Sequence, residues 1–280
     1  MKIIDGNHLA NKLRENLKKD IKDNDLCPGL AIIYVGNNPA SEVYIRNKLK
    51  TCVELGIEGN LYHFEENAQQ EEIIAKIKNL NEDKKVHGII IQSPVPKKYD
   101  EDLLNSYILK EKDVDGFGIY NVGSLTANKE EMLAATPAGV IKMLESENIK
   151  ISGKHVVMVG RSKIVGRPLA MMFLNRDATV TIAHSKTENL KDITKLADIL
   201  VVAIGKPLFI KKGFIKKGAV VIDVGINRLS DKIVGDVDFL DVKKKTSFIT
   251  PVPGGVGPMT ITMLLANVVD SAKKAKERGK

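Results

Sequence analysis

Apolar positions along the chain keep two rhythms that alternate from end to end. Short unbroken apolar runs predict buried strands, and stretches with apolar residues three and four apart predict amphipathic helices. In the first half, "GLAIIYVG" (29–36) reads as a strand, followed by a helix over "ASEVYIRNKLK" (40–50). "IEGNLYHFE" is then a strand, "QQEEIIAKIKNL" (69–80) a helix and "VHGIIIQSP" a strand. A helix is expected from "ATPAGVIKMLESENI", with Thr136 as N-cap and Pro137 at its first helical position. The series restarts at "GKHVVMVG" (153–160) and runs through a helix near 166–176, the strand "TVTIAHS" and a short helix. The strands "ILVVAIG" and "AVVIDVGIN" follow, and "PMTITMLLANVVDSAKKAKER" closes the chain as one long helix.

Strands that alternate with helices imply an α/β protein built on parallel sheet. The restart of the strand series puts a boundary between 120 and 150. A length of 280 residues also suits about two domains. The expected fold is two α/β lobes with a cleft between them, the second a Rossmann-type dinucleotide-binding domain.

Composition narrows the function by exclusion. The net charge of +8 comes from lysines mixed with acids, and only the tail "KKAKERGK" concentrates them. Solvated helix faces explain that pattern, although a basic surface also attracts acidic substrates. No basic stretch carries the interleaved aromatics of a nucleic-acid surface. The N-terminus lacks the apolar segment of a signal peptide, and no apolar run is long enough for a membrane span. Cys27 and Cys52 are isolated, with no Cys-x-x-Cys pair and no histidine at ligand spacing. A reducing compartment, the cytoplasm, and no metal site are the expectations.

Candidate chemistry begins on the helix at 40–50. At about 100° per residue, Ser41, Ile45, Leu49 and Cys52 form one stripe, while Arg46, Asn47, Lys50 and Glu54 point away. Tyr44 and Lys48, four residues apart, stack along one edge of that stripe. A boundary phenol and a snorkelling stem are ordinary features. Side by side they can also line a site, where partial burial lowers a lysine's pKa and frees an amine for proton transfer. Gln92 follows the strand "GIII" and is a second polar candidate. In "KDVDG", Asp113 suits a turn, whereas Asp115 suits an aminopyrimidine-type ring, because a carboxylate accepts two N–H bonds.

The second lobe carries "VVMVGRSKIVGRPLA". Gly160 allows a tight turn after the strand, Gly166 lets a helix approach closely, and the helix N-terminus faces a pyrophosphate. Ser162 replaces the middle glycine of the full dinucleotide fingerprint. An NAD site usually has an acid at the end of the next strand, but here that strand ends in "AHSKT". Arg161 and Ser185 therefore favour the 2′-phosphate of NADP; Ser185 is also placed to cap the helix that follows. "IDVGIN" and "PVPGGVGPMT" are glycine-rich loops at strand ends, suited to a flat ligand.

"VGNNPASEVYIRNKLK", "GIIIQSPVP", "KDVDGF", "TPAGV", "GRSKIVGRP", "IDVGIN" and "TPVPGGVGPMT" follow one another across nearly the whole chain. In order and spacing they resemble the bifunctional methylenetetrahydrofolate dehydrogenase/methenyltetrahydrofolate cyclohydrolases of one-carbon metabolism. That resemblance implies NADP-dependent oxidation of 5,10-methylenetetrahydrofolate, then hydrolysis to 10-formyltetrahydrofolate. It makes Lys48, Tyr44 and Gln92 catalytic, and has Tyr44, Asp115, Gly257 and Pro258 hold the folate. Gly160, Arg161, Ser162, Ser185 and Ile226 would bind NADP. It also implies a homodimer and a discontinuous first domain: residues 1–135 completed by the last helix from about 258 to 280, with 136–257 binding NADP.

Three departures stand out. "GIYNVGSL" replaces the family's usual His-Pro after "KDVDGF", Ser124 replaces an arginine, and Ala134 and Ala135 replace a Pro-Cys before "TP". A dehydrogenase of another small substrate and a non-catalytic dinucleotide-binding regulator are the competing readings.

The strand after the glycine turn ends without an acid while Arg161 and Ser185 are available, and this makes the first prediction. Arg161→Ala should raise the Michaelis constant for NADP⁺ by about tenfold or more, because a charge-assisted fork to phosphate is lost. The constant for NAD⁺ should change much less. Equal losses for the two cofactors would remove Arg161 from the 2′-phosphate.

Overall fold

The computed structural model describes residues 1–230 and 232–279. Lys280, the end of the basic tail, lies outside the described residues. The chain divides into two compact units. The first comprises Lys12–Ala135 and the residues from Ile261 on, the second Met1–Asn11 and Thr136–Thr260.

The chain opens with strand β1 (Lys2–Ile3) and helix α1 (Gly6–Asp23), then β2 (Gly29–Val35) and α2 (Pro39–Leu55). β3 (Glu58–Phe64), α3 (Gln70–Glu82), β4 (Gly88–Ile91), α4 (Glu101–Ser106) and α5 (Ile119–Thr126) follow. In the first unit β2 lies between β3 and β4, all parallel. Every residue of β2 and β4 is buried, because helices cover both faces of the sheet. Leu30, Ile32 and Tyr34 turn to one face, against Ile45, Cys52 and Leu55 of α2. Ala31, Ile33 and Val35 turn to the other, against Ile73, Ile77 and Leu80 of α3. The two-residue period of one strand thus feeds two cores, each buried aliphatic side chain contributing about 2 kcal/mol.

α2 starts where "NNPA" directs. The Asn38 side chain accepts the amides of Ala40 and Ser41, and Pro39 needs no N–H partner in the first turn. The apolar stripe is as expected: Ser41, Ile45 and Cys52 are buried, and Leu49 packs partly buried beside them.

The segment after β4 holds a carboxylate turn. Asp113 is buried; its Oδ1 accepts the amides of Gly116 and Phe117, and its Oδ2 accepts those of Gly118 and the Asn121 side chain. The turn reading of Asp113 therefore describes the structure. The departing segment "GIYNVGSL" is mostly helix α5, and buried Asn121 ties it to Asp113.

The remaining elements are α6 (Ala135–Ser146), β5 (His155–Val159), α7 (Gly166–Leu174), β6 (Thr179–Ala183), α8 (Leu190–Thr194) and β7 (Ile199–Val202). β8 (Val220–Asp223) precedes a small antiparallel hairpin, β9 (Asn227–Leu229) with β10 (Lys232–Val234). α9 (Phe239–Val242), β11 (Phe248–Ile249) and α10 (Val256–Arg278) complete the chain. The second unit is a parallel sheet in the order β1-β11-β8-β7-β5-β6. Val157, Val159, Leu200, Val202 and Val221 face one core, closed by Ile210, Ile215 and Val242.

Three expectations change. Residues 1–11, assigned to the first domain, belong to the second unit, because β1 adds an edge strand to β11. α6 begins at Ala135, so Thr136 is inside the helix and its hydroxyl bonds Thr260 Oγ1 at 2.8 Å. The short helix α8 follows Asn189 in the left-handed region, with no side-chain cap, so Ser185 does not cap it. Among the described residues no helix is long and apolar enough to cross a membrane. Nor does any group of three or more His, Cys, Asp or Glu among them suit a metal ion.

Asp113→Ala would leave three loop amides and the Asn121 side chain without their acceptor. The variant should lose about 3 kcal/mol of stability, the scale of removing a buried charged acceptor. Urea unfolding measures the loss, and an unchanged midpoint would show that water replaces the carboxylate.

Candidate active site

α2 presents Lys48 at the edge of its buried stripe, and β4 ends where the chain turns outward at Gln92. The two meet: Lys48 Nζ donates to Gln92 Oε1 at 3.1 Å. The other end of the Gln92 amide donates to the Ser93 carbonyl at 2.8 Å, which keeps Oε1 turned toward the lysine. Ser41 Oγ donates to the same carbonyl at 3.4 Å. Gln92 is buried and Lys48 half-buried, while Tyr44, one turn earlier, is exposed with its ring available.

The charges are set by burial. Desolvation lowers the Lys48 pKa from its ordinary value, and the nearby Asp115 carboxylate opposes that shift. Desolvation pushes Asp115 up to about 6, with the Lys48 charge pulling it down and Asp113 and Glu101 pushing it up. Asp115 keeps some open surface although its carboxyl is packed deep among protein atoms. Cys52, one turn beyond Lys48, is raised to about 12 by burial and stays a neutral thiol beside the amine. The site therefore joins a lysine whose pKa burial lowers, an amide that accepts from it, and a carboxyl raised to about 6.

α10 holds the Asp115 segment in place. Asn267 donates from one amide to the Val114 and Leu133 carbonyls, both at 2.8 Å, and Ser271 donates to the Glu111 carbonyl at 2.7 Å. Sequence reading missed Asn267 and Ser271. Their only signal is polarity inside an otherwise apolar helix face.

In the second unit Gly160 turns with φ +125°, and a side chain there would meet the Ala203 carbonyl at 2.2 Å. Glycine is thus required for both the angle and the approach. Gly166 faces the turn itself rather than the sheet, and a side chain there would meet the Gly160 carbonyl at 2.4 Å. Ser162 Oγ accepts the Val165 and Gly166 amides at 3.2 and 3.3 Å, so those two amides of the α7 N-terminus are already engaged. Arg161, Ser162 and Ser185 are exposed. The end of β6 has no acid; His184 and Thr187 instead close their own turn. Gly257 and Pro258, expected in a loop, form the first turn of α10, and Gly257 lies next to the exposed Ile226.

A glycine turn flush against the strand ends, an exposed arginine with two exposed serines, and an exposed apolar residue fit a phosphorylated dinucleotide. Family models agree. Residues 4–115 match the catalytic domain of tetrahydrofolate dehydrogenase/cyclohydrolase, and residues 134–276 match its NAD(P)-binding domain. The chain belongs to this family. The bifunctional protein FolD of Nitrosospira multiformis is 51% identical over 281 residues, covering 99% of this chain and 98% of its own. The bifunctional FolD dehydrogenase/cyclohydrolase structure from Campylobacter jejuni is 48% identical with a TM-score of 0.96, covering 98% of this chain and 99% of its own. A Trypanosoma brucei FolD structure, solved with NADP and an inhibitor, is 35% identical with a TM-score of 0.94 and 98% coverage of both chains.

The Asp115 shift predicts a pH dependence of stability for this family member. The folded protein holds that proton up to about 6, while the unfolded chain releases it at the ordinary 3.8. The contribution is complete below the lower value and is lost as pH rises through the upper one. Asp115→Asn should therefore gain stability relative to the parent between pH 4 and pH 7. Thermal melts across that range check it, and parallel curves for the two proteins would contradict it.

Proposed function

We propose that this chain oxidises 5,10-methylenetetrahydrofolate with NADP⁺ and then hydrolyses the methenyl product to 10-formyltetrahydrofolate, with Lys48 at the centre of the second step. The observation that carries the assignment is the hydrogen bond from Lys48 to Gln92, held in a setting that lowers the lysine's pKa. NADP⁺, when bound, supplies the acceptor for the hydride that leaves the methylene carbon. The turn at Gly160 to Ser162, with Arg161, Ser185 and Ile226, holds it. Gly257 and Pro258 belong to the folate contacts in this reading.

Asp115 anchors the folate through the donors of its aminopyrimidine edge, and Tyr44 offers its ring as a stacking face. Loss of hydride leaves a methenyl cation, with its charge shared by the two folate nitrogens. Water then adds to the bridging carbon. The neutral Lys48 amine takes a proton from that water, and Gln92 Oε1 holds the resulting ammonium in position. A proton returned to the departing nitrogen opens the ring, leaving the formyl group on the other. One proton is released overall. Burial serves this cycle because an ordinary lysine would be almost wholly protonated at neutral pH.

A cytoplasmic homodimer completes the reading. Two free cysteines support the compartment, and family resemblance supports the dimer.

Positioned proton transfer typically contributes about 10²–10⁴-fold. Lys48→Ala should therefore slow methenyl hydrolysis by roughly that factor while NADP⁺ reduction falls far less, so methenyl product accumulates. Tyr44→Ala and Asp115→Ala should impair both steps through the shared folate site. NADPH absorbance and methenyl absorbance, followed separately, make the comparison. Hydrolysis at the parent rate in Lys48→Ala would return the lysine to a snorkelling role.

A further inference from the structure

The second unit contains two carboxylates that neither the proposed folate site nor the cofactor turn uses. Asp236 is completely buried and Asp223 nearly so. Asp236 Oδ2 accepts the amides of Ile204 and Gly205 at 2.7 and 3.0 Å. Its Oδ1 accepts the Lys206 amide at 2.7 Å and the Asn227 side chain at 2.9 Å. Asp223 accepts from Gly225 and from the Asp236 amide at 3.0 Å through Oδ1, and from Val237 at 2.9 Å through Oδ2. Each acid is admitted by a glycine within two residues of the other. A side chain on Gly225 would lie 2.3 Å from the Asp236 carboxyl, and one on Gly235 would lie 1.8 Å from Asp223 Oδ2.

The segments these acids hold border the cofactor turn. The Ala203 carbonyl abuts Gly160, and the next three amides are the ones gathered by Asp236. Ile226 stands exposed between two fixed neighbours: the Gly225 amide bound to Asp223 and the Asn227 side chain bound to Asp236. A buried carboxylate holding four donors sets a loop more firmly than neutral turn contacts, since charge-assisted bonds are about twice as strong.

We infer that Asp236, braced by Asp223, is a positioning residue for NADP: it fixes the 203–206 loop and Ile226 in the shape that receives the cofactor. Neither acid touches the ligand. The inference rests on the reading that this unit's strand ends bind NADP. Asp236→Asn keeps the size but turns an N–H₂ toward N–H donors, so one side of the clasp opens.

The test is fluorescence titration of the full chain with NADPH, combined with hydrogen exchange at the 204–206 amides in cofactor-free protein. Asp236→Asn should weaken NADPH binding about tenfold, the scale of losing a hydrogen bond to a charged group. Protection at Ile204, Gly205 and Lys206 should fall with it. In turnover, the Michaelis constant for NADP⁺ should rise more than kcat falls. Asn227→Ala, which removes one of the four donors, should weaken NADPH about threefold, the lower end of what a single hydrogen bond contributes, and it carries the test if Asp236→Asn does not fold. Unchanged NADPH affinity in a folded Asp236→Asn, or in Asn227→Ala where that is the variant used, overturns the inference alone. Failure of the unaltered protein to bind NADPH overturns the cofactor reading and this inference together.

Discussion

Loops that leave the C-terminal ends of parallel strands carry backbone N–H groups that no neighbouring strand can accept. Water can satisfy them only where the loop is open, and a buried N–H without a partner costs about 1–3 kcal/mol. This chain meets the constraint with buried aspartates. Asp113 gathers the amides of Gly116, Phe117 and Gly118, and Asp236 those of Ile204, Gly205 and Lys206. Asp223 gathers Gly225, Asp236 and Val237. Each carboxylate turns a run of unpaired donors into one rigid turn, and those held by Asp236 and Asp223 follow the C-terminal ends of β7 and β8, where α/β proteins bind ligands.

That rigidity gives the neighbouring functional groups their settings. Asp115 follows Asp113 by two residues, and its backbone is held by the Asp113 turn on one side and by Asn267 on α10 on the other. Among the described residues no backbone donor comparable to these reaches its carboxyl, and desolvation dominates its titration. Lys48 obeys the same logic with opposite charge. Burial penalises its ammonium, and the compensation is one amide oxygen from Gln92 and a carboxylate at longer range. The two aspartates of "KDVDG" thus differ in chemistry because only one is saturated with N–H bonds.

Much of this organisation was legible in the chain. Continuous apolar runs located β2, β4, β5, β7 and β8, since a strand buried on both faces needs no polar position. The helical period placed Ser41, Ile45 and Cys52 inside and Lys48 at the edge, because spacing along a helix fixes direction. Turn chemistry separated Asp113 from Asp115. Short pieces escaped: β1, β11 and the β9–β10 hairpin have two or three residues each, too few for a period to register.

What the sequence determined by itself was local: which segments become strands and helices, which side chains share a face, and which cofactor the end of β6 permits. The tertiary structure decided the pairings between distant segments. It placed Lys2 and Ile3 beside Phe248 and Ile249, Lys48 against Gln92, and Asp236 beneath the amides of residues 204–206. Periodicity and capping act over a few residues and leave a signature in the chain. Contacts across dozens or hundreds of residues depend on how sheets and helices pack, and a buried acid acquires its partners only when that packing closes around it.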